Sequence, residues 1–170
     1  MIVVLLLAGR GRRMNKLTYN RHKAFTILNN QPALMYLLDS LIAVGTKELI
    51  TVLGFDSKRL SKYIHSVCGN KIKISFVYNH DYTETNNLYS LLCTRDKVEG
   101  GEFMICNGDI VIDPDILNDM MNLGDKSVVA VDDINRDKDI DSPGIIFRDN
   151  RIYDLGRHIK KKDTAGYAIG

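Results

Sequence analysis

Gly9, Arg10, Gly11, Arg12 and Arg13 follow without a gap on the apolar run of residues 2–8 near the start of the chain. Glycines placed directly after a buried segment let backbone N–H groups approach a ligand closely. Arginine guanidinium groups offer planar forks that match phosphate oxygens. These residue types at this spacing describe a cradle for a polyphosphate. A solvated basic turn is the plainer alternative, yet this segment joins a buried strand and contains no acid. The charge distribution points the same way. Residues 1–38 hold no Asp or Glu and carry Arg10, Arg12, Arg13, Lys16, Arg21 and Lys23. With 23 basic and 21 acidic residues in all, the remainder of the chain is net acidic. No aromatic interleaving or basic helix accompanies the cluster, which argues for a local anion site and against nucleic acid as partner.

Two familiar phosphate-binding patterns fail. A dinucleotide site needs G-x-G-x-x-G, and its last position here is Met14. The first acid at the end of the next strand is Asp56, far beyond the offset of about 20 residues that ribose recognition needs. G-K-[ST], which a P-loop needs, is absent.

The elements that must position this cluster alternate between strand and helix. The run 2–8 is short, apolar and continuous, as expected of a parallel strand covered on both faces. Residues 9–24 read as a loop. Pro32 opens a helix, with Asn30 as its cap, an apolar face of Leu34, Leu37, Leu38, Leu41 and Ile42, and Gly45 as its end. Residues 48–55 read as a strand, and Asp56 or Ser57 caps the helix that follows to about His65. Residues 71–78 are a third strand. Residues 85–96 read as a helix with Leu88, Leu91 and Leu92 facing inward. Residues 102–109 are a fourth strand running into a turn, 114–122 a helix opened by Pro114, and 127–132 a fifth strand. The pattern then changes to a hairpin over 144–155 around Asp149-Asn150 and an apolar strand over 165–170. Such alternation implies right-handed βαβ units and an α/β fold with a mostly parallel sheet. Ligands of such sheets lie beyond the carboxyl ends of the strands, so Gly9–Lys23 and Asn107-Gly108-Asp109 are expected on one edge.

On these residues the chain resembles a known family. "LLLAGRGRRM" is similar to the L-x-A-G-x-G-x-R-[ML] signature of nucleotidyltransferases that make nucleotide sugars and CDP-alcohols. "HKAF" resembles their lysine motif, with His22 where sugar-nucleotide enzymes commonly have proline. "NGDIV" resembles their metal-binding Asp, and "NNLYSL" and "AGYAIG" bring the likeness nearest to bacterial phosphocholine cytidylyltransferases. The resemblance covers essentially the whole chain. It implies a Rossmann-like αβα sandwich with a mostly parallel mixed sheet, of the nucleotide-diphospho-sugar transferase type. The activity implied is attack by a phosphate-monoester acceptor on the α-phosphorus of a nucleoside triphosphate, with release of pyrophosphate. Carried over by position, Arg13 holds the β- and γ-phosphates and Lys23 bridges the α-phosphate and the acceptor. Leu7, Ala8, Gly9 and Gly11, with Asn87 and Ser90, contact the nucleotide, and Asp109 binds Mg²⁺. Tyr167, with Tyr82 and Tyr89 after it, is the candidate aromatic wall for a quaternary ammonium. CTP with phosphocholine is the expected substrate pair. A sugar 1-phosphate with UTP or dTTP, and a catalytically weak nucleotide-binding domain, are the alternatives. The family usually supplies a second metal-binding Asp from a later segment. Residues 1–170 are therefore expected to form a single domain that lacks that segment.

The rest of the sequence narrows the setting. Cys68, Cys93 and Cys106 are far apart and show no C-x-x-C pair, which points to reduced thiols in a cytoplasmic protein and not to a disulfide framework or a zinc site. The apolar start lacks the basic flank and cleavage site of a signal peptide. No segment approaches the roughly 18 apolar residues of a membrane span. His65, His80 and His158 lack metal-ligand spacing, and Lys160–Lys162 reads as a solvated turn. An oligomer is compatible with all of this.

Overall fold

A computed structural model describes residues 1–11, 21–124, 126–132, 143–149 and 151–169. Contacts divide the chain into two compact units, Met1–Asn122 and Leu123–Gly170.

The first unit is built on β1 (Ile2–Leu7). It pairs in parallel with β4 (Glu48–Leu53) on one side and β6 (Phe103–Asn107) on the other. β4 pairs in parallel with β5 (Lys73–Tyr78), so the sheet runs β5-β4-β1-β6. Helices α1 (Ala33–Ala43), α2 (Ser57–Cys68) and α5 (Pro114–Met121) cover one face. There Leu34, Leu37, Leu60, Ile64 and Leu117 meet Val3, Leu5 and Leu49. The short helices α3 (Asn87–Leu92) and α4 (Arg95–Val98) belong to the other face, where Leu91 and Val98 pack with Val4, Ile50 and Val52. Val3, Val4 and Leu5 of β1 are fully buried, as its unbroken apolar run requires.

Several local readings are corrected. Asn30 does not cap α1. Asn29 and Asn30 both take positive φ, 44° and 69°, and turn a small hairpin between β2 (Ile27–Leu28) and β3 (Gln31–Pro32). An Asn pair tolerates that conformation better than most residues. Asp56 precedes α2 without capping it through its side chain. The helix expected over 85–96 is broken into α3 and α4 at Cys93 and Thr94. Leu88 and Leu92 lie on its outer side, 73% and 57% exposed, while Ser90 and Thr94 are buried. Polar demand overrides the apolar stripe here, for reasons given below.

The second unit is antiparallel. β7 (Val131–Asp132), β8 (Gly144–Arg148), β9 (Arg151–Gly156) and β10 (Gly166–Ala168) run in the order β7-β10-β8-β9. The hairpin is as expected, with Asp149 at φ 49°. The strand expected over 127–132 is reduced to two residues paired with β10, outside the parallel sheet. An apolar run specifies a strand but not its partner, and pairing is a tertiary choice.

Gly108 gives a test of how tightly the parallel sheet is closed at β6. A Cβ there would collide with the Leu7 side chain. Gly108→Ala should therefore cost about 1–3 kcal/mol in urea unfolding, the scale of overpacking. Leu7→Ala in the same chain should recover part of that loss. Strict additivity of the two substitutions would show that the contact does not limit the packing.

Candidate active site

β1 ends at the carboxyl edge of the sheet, and the chain passes into Ala8, Gly9 and Gly11. The Ala8 carbonyl accepts a 3.0 Å bond from Phe55 N just beyond β4, which fixes where the loop leaves the sheet. Leu7 and Ala8 are buried, whereas Gly9 is exposed. Gly11 adopts φ +70°, and a Cβ on it would stand 3.1 Å from the Cβ of Lys23. Glycine is thus required for the loop to lie against the lysine.

Lys23 opens a 3-10 turn, Lys23–Phe25, whose Ala24 and Phe25 are buried and anchor it. From there its ammonium reaches 2.5 Å to Asp109 Oδ2, across 86 residues of sequence. Asp109 stands in the turn after β6, which is tied down by the 3.0 Å bond from Gly108 N to the Leu6 carbonyl. Next to it, Asn107 Oδ1 accepts from Asn87 Nδ2 at 3.0 Å. The structure therefore brings together Leu7, Ala8, Gly9, Gly11, Lys23, Asn87 and Asp109, at the edge where strand order reverses between β1 and β6. Arg13 lies outside the described residues. Among the described residues, no three His, Cys, Asp or Glu side chains converge on a metal-sized site.

Other predicted positions sit differently. Ser90 is buried, and its hydroxyl accepts from Asn79 Nδ2 at 3.0 Å. Asn79 also donates to Thr85 Oγ1 and accepts from Asp81 N, so both of its amide hydrogens and its oxygen are engaged in that loop. Such a satisfied buried amide fixes a single loop conformation. It turns Ser90 inward, and with it sends Leu88 and Leu92 outward, two positions away on either side of the helix. No spacing in the sequence announces Asn79. Tyr82 is half-buried, with its Cβ 2.8 Å from where a Cβ on Gly54 would lie. Tyr89 is exposed and donates to Asp81 Oδ2 at 3.3 Å, a bond to a carboxylate that raises its phenol pKa. Tyr167 is buried on β10 of the second unit.

His22, quoted in the sequence only as part of a motif, turns out to be fully buried beside Lys23. Its Nδ1 accepts from Ala24 N at 3.1 Å and caps the lysine turn. Its own N–H donates to Asp56 Oδ2 at 3.3 Å, and its ring stacks on Phe55 at 6.4 Å. Burial first, and then the Lys23 charge, lower its pKa to about 4, against the weaker opposing pull of Gly9, Asp56 and Asp109.

Comparison with known proteins gives the family and the fold. The family described as "MobA-like NTP transferase domain" matches residues 3–164. The chain is 31% identical over 130 residues to the CMP-5'-(3-aminopropyl)phosphonate synthase of Streptomyces rubellomurinus, which covers 75% of this chain and 20% of that protein. It is 28% identical over 98 residues to the choline-phosphate cytidylyltransferase of Streptococcus pneumoniae, covering 58% of this chain and 41% of that protein. The chain thus spans less than half the length of these two curated relatives. In three dimensions it is similar to the inositol-1-phosphate CTP transferase from T. maritima, with a TM-score of 0.80 at 21% identity. That likeness covers 99% of this chain and 68% of the other and concerns the fold. No helix among the described residues is long and apolar enough to cross a membrane.

The buried imidazole makes a prediction that needs no substrate. A free histidine titrates near 6.5 and this one near 4, so between those values the unfolded chain binds more protons than the folded chain. Stability should then fall as pH drops from about 6.5 to 4, by about 3 kcal/mol for a shift of this size. Urea unfolding of the wild-type and His22→Asn chains at pH 7, 5.5 and 4.5 checks this. The variant should lose that part of the acid sensitivity, and parallel pH profiles would show that His22 is not held neutral.

Proposed function

We propose that this chain, which belongs to the MobA-like NTP transferase family, transfers a cytidylyl group from CTP to a small phosphorylated acceptor. The observation that carries the reading is the meeting of Lys23 and Asp109 beside the glycine loop, at the carboxyl edge of β1 and β6. The family match and the relatives' names support it. Several of those relatives are cytidylyltransferases, and others are sugar-phosphate nucleotidyltransferases.

In this reading an oxygen of the acceptor phosphate bonds to the α-phosphorus of CTP. The bond from that phosphorus to the bridging oxygen breaks, and pyrophosphate leaves. Both reactants are anions, and charge spreads over phosphoryl oxygens in the transition state. The protein's task is positioning and cationic stabilisation. Lys23 bridges the α-phosphate and the acceptor, and Arg13 holds the β- and γ-phosphates. Backbone around Ala8, Gly9 and Gly11 cradles the nucleotide, while Asn87, held by Asn107, faces its nucleoside.

Nucleotidyltransferases of this family generally use a divalent metal. Asp109 is a partly exposed carboxylate at the right edge. A single carboxylate fits Mg²⁺ carried mainly by nucleotide phosphates and does not fit a protein cage. Asp109 would hold that ion, which supplies charge neutralisation to the phosphates. Lys23 then exchanges its carboxylate partner for substrate oxygens.

For the acceptor, the reading is phosphocholine. The names of the matched relatives add aminoalkylphosphonates, which likewise carry a cationic nitrogen a few bonds from phosphorus. Tyr89 and Asp81, joined at 3.3 Å, offer an aromatic face and a carboxylate to such a cation.

Pyrophosphate release measured for each NTP against phosphocholine, 2-aminoethylphosphonate and glucose 1-phosphate tests the substrate. CTP with a cationic acceptor should be fastest. Faster turnover of glucose 1-phosphate with UTP or dTTP would move the reading to a sugar-nucleotide enzyme. With the preferred pair, Lys23→Ala and Arg13→Ala should each lower kcat/KM by about tenfold or more. Asp109→Asn should abolish turnover while the far-ultraviolet spectrum stays native. Wild-type rates in these variants would remove the residues from the assignment.

A further inference from the structure

We propose that His22 is a positioning residue that pins the lysine turn to the glycine loop, and thereby sets where the Lys23 ammonium stands during transfer. The inference rests on the reading that Lys23 acts on the substrate phosphates. It goes beyond that reading by giving a role to a side chain that touches no substrate.

The backbone conformation at His22, φ −65° and ψ 143°, is open to most residues, and its N–H bond to Asp56 Oδ2 asks for no particular side chain. What a histidine adds here is its ring nitrogens. One of them, Nδ1, accepts from Ala24 N and closes the turn that carries Lys23. In the neutral ring this bond places the proton on Nε2. Nε2 is buried and has no partner in hydrogen-bonding geometry among the described residues. A buried donor left open in this way is uncommon and calls for an explanation.

The polar group of the glycine loop that acts on this ring is the Gly9 backbone, which pulls toward the charged form. Phe55 supplies a second tie to the same loop. It stacks on His22 at 6.4 Å and carries the Arg10 guanidinium 5.2 Å from its ring centre. His22 thus holds the lysine turn through Nδ1 and stands against the Gly9–Arg10 segment through its ring and Phe55, so that the placement of the lysine and of the glycine loop are tied together.

The test is a double-mutant cycle with the preferred NTP and acceptor. His22→Asn retains an acceptor at the Nδ1 position but has nothing at Nε2. His22→Pro retains φ and loses both ring nitrogens together with the backbone N–H that bonds Asp56 Oδ2. His22→Asn should lower kcat about tenfold with KM for the NTP changed less than twofold, and His22→Pro should lower kcat at least as far. In a Lys23→Ala background His22→Asn should cost less than twofold, because its effect passes through the lysine. A His22→Asn chain with wild-type kcat, or one whose effect is undiminished without Lys23, overturns the proposal while leaving the Lys23 reading intact. Wild-type rates in Lys23→Ala alone overturn the reading beneath it. A measurement on the wild-type chain keeps the question open to refutation if either variant fails to fold. With ¹⁵N-labelled histidine, His22 should carry its proton on Nε2 and leave Nδ1 bare at pH 7. A protonated Nδ1 would refute the bond that closes the lysine turn.

Discussion

The first unit is organised by the absence of water around β1. Both faces of this strand are covered and both its edges are paired, and the helical crossovers between strands set its neighbours parallel beside it. The chain travels from β1 through β4 to β5 on one side and must return to reach β6 on the other. Every strand then points its carboxyl end at the same edge. The loop after β1 and the turn after β6 become neighbours although about a hundred residues separate them. Lys23 and Asp109 meet because of this topology, and the ion pair between them is its consequence.

That edge gathers positive charge, and the fold limits the repulsion by keeping His22 uncharged. A protonated imidazole buried next to Lys23 would be penalised twice, by lost hydration and by the neighbouring ammonium. The neutral ring serves instead as a shaped hydrogen-bonding piece, capping the lysine turn and stacking on Phe55. Asp56, in a left-handed conformation before α2, contributes its carboxylate to the His22 N–H and to Arg59 at 3.6 Å. A residue read from sequence as a helix cap is thus used to hold the site's rear wall.

On the opposite face a polar network stands beside the apolar packing of Leu91 and Val98. Asn79, at the end of β5, satisfies Thr85, Ser90 and the backbone of Asp81. The loop it fixes delivers Asn86 as the side-chain cap of α3 and Asn87 to Asn107. The cost is the exposure of Leu88 and Leu92, beside a groove of about 800 Å³ that Tyr89 and Val98 also line.

The sequence by itself determined the parallel core and the shared edge of Lys23 and Asp109. Each of these follows from local signals: an unbroken apolar strand, glycines with basic residues at its end, and strand–helix alternation. Tertiary structure alone decided the rest, wherever a residue's role depends on a partner distant in the chain. Residues 127–132 are apolar enough for a strand, but which strand they join is set by β10 and not by their own pattern. Leu88 and Leu92 carry a helical stripe, yet they stand exposed while Ser90, bonded to the buried Asn79, faces inward. Asn29-Asn30 turn the β2–β3 hairpin in left-handed conformations, a use that depends on the pairing of the two strands beside them. His22 looks like one letter of a motif until its burial and its bonds to Ala24 and Asp56 are seen. Such roles arise from contacts across the fold, which spacing along the chain cannot encode.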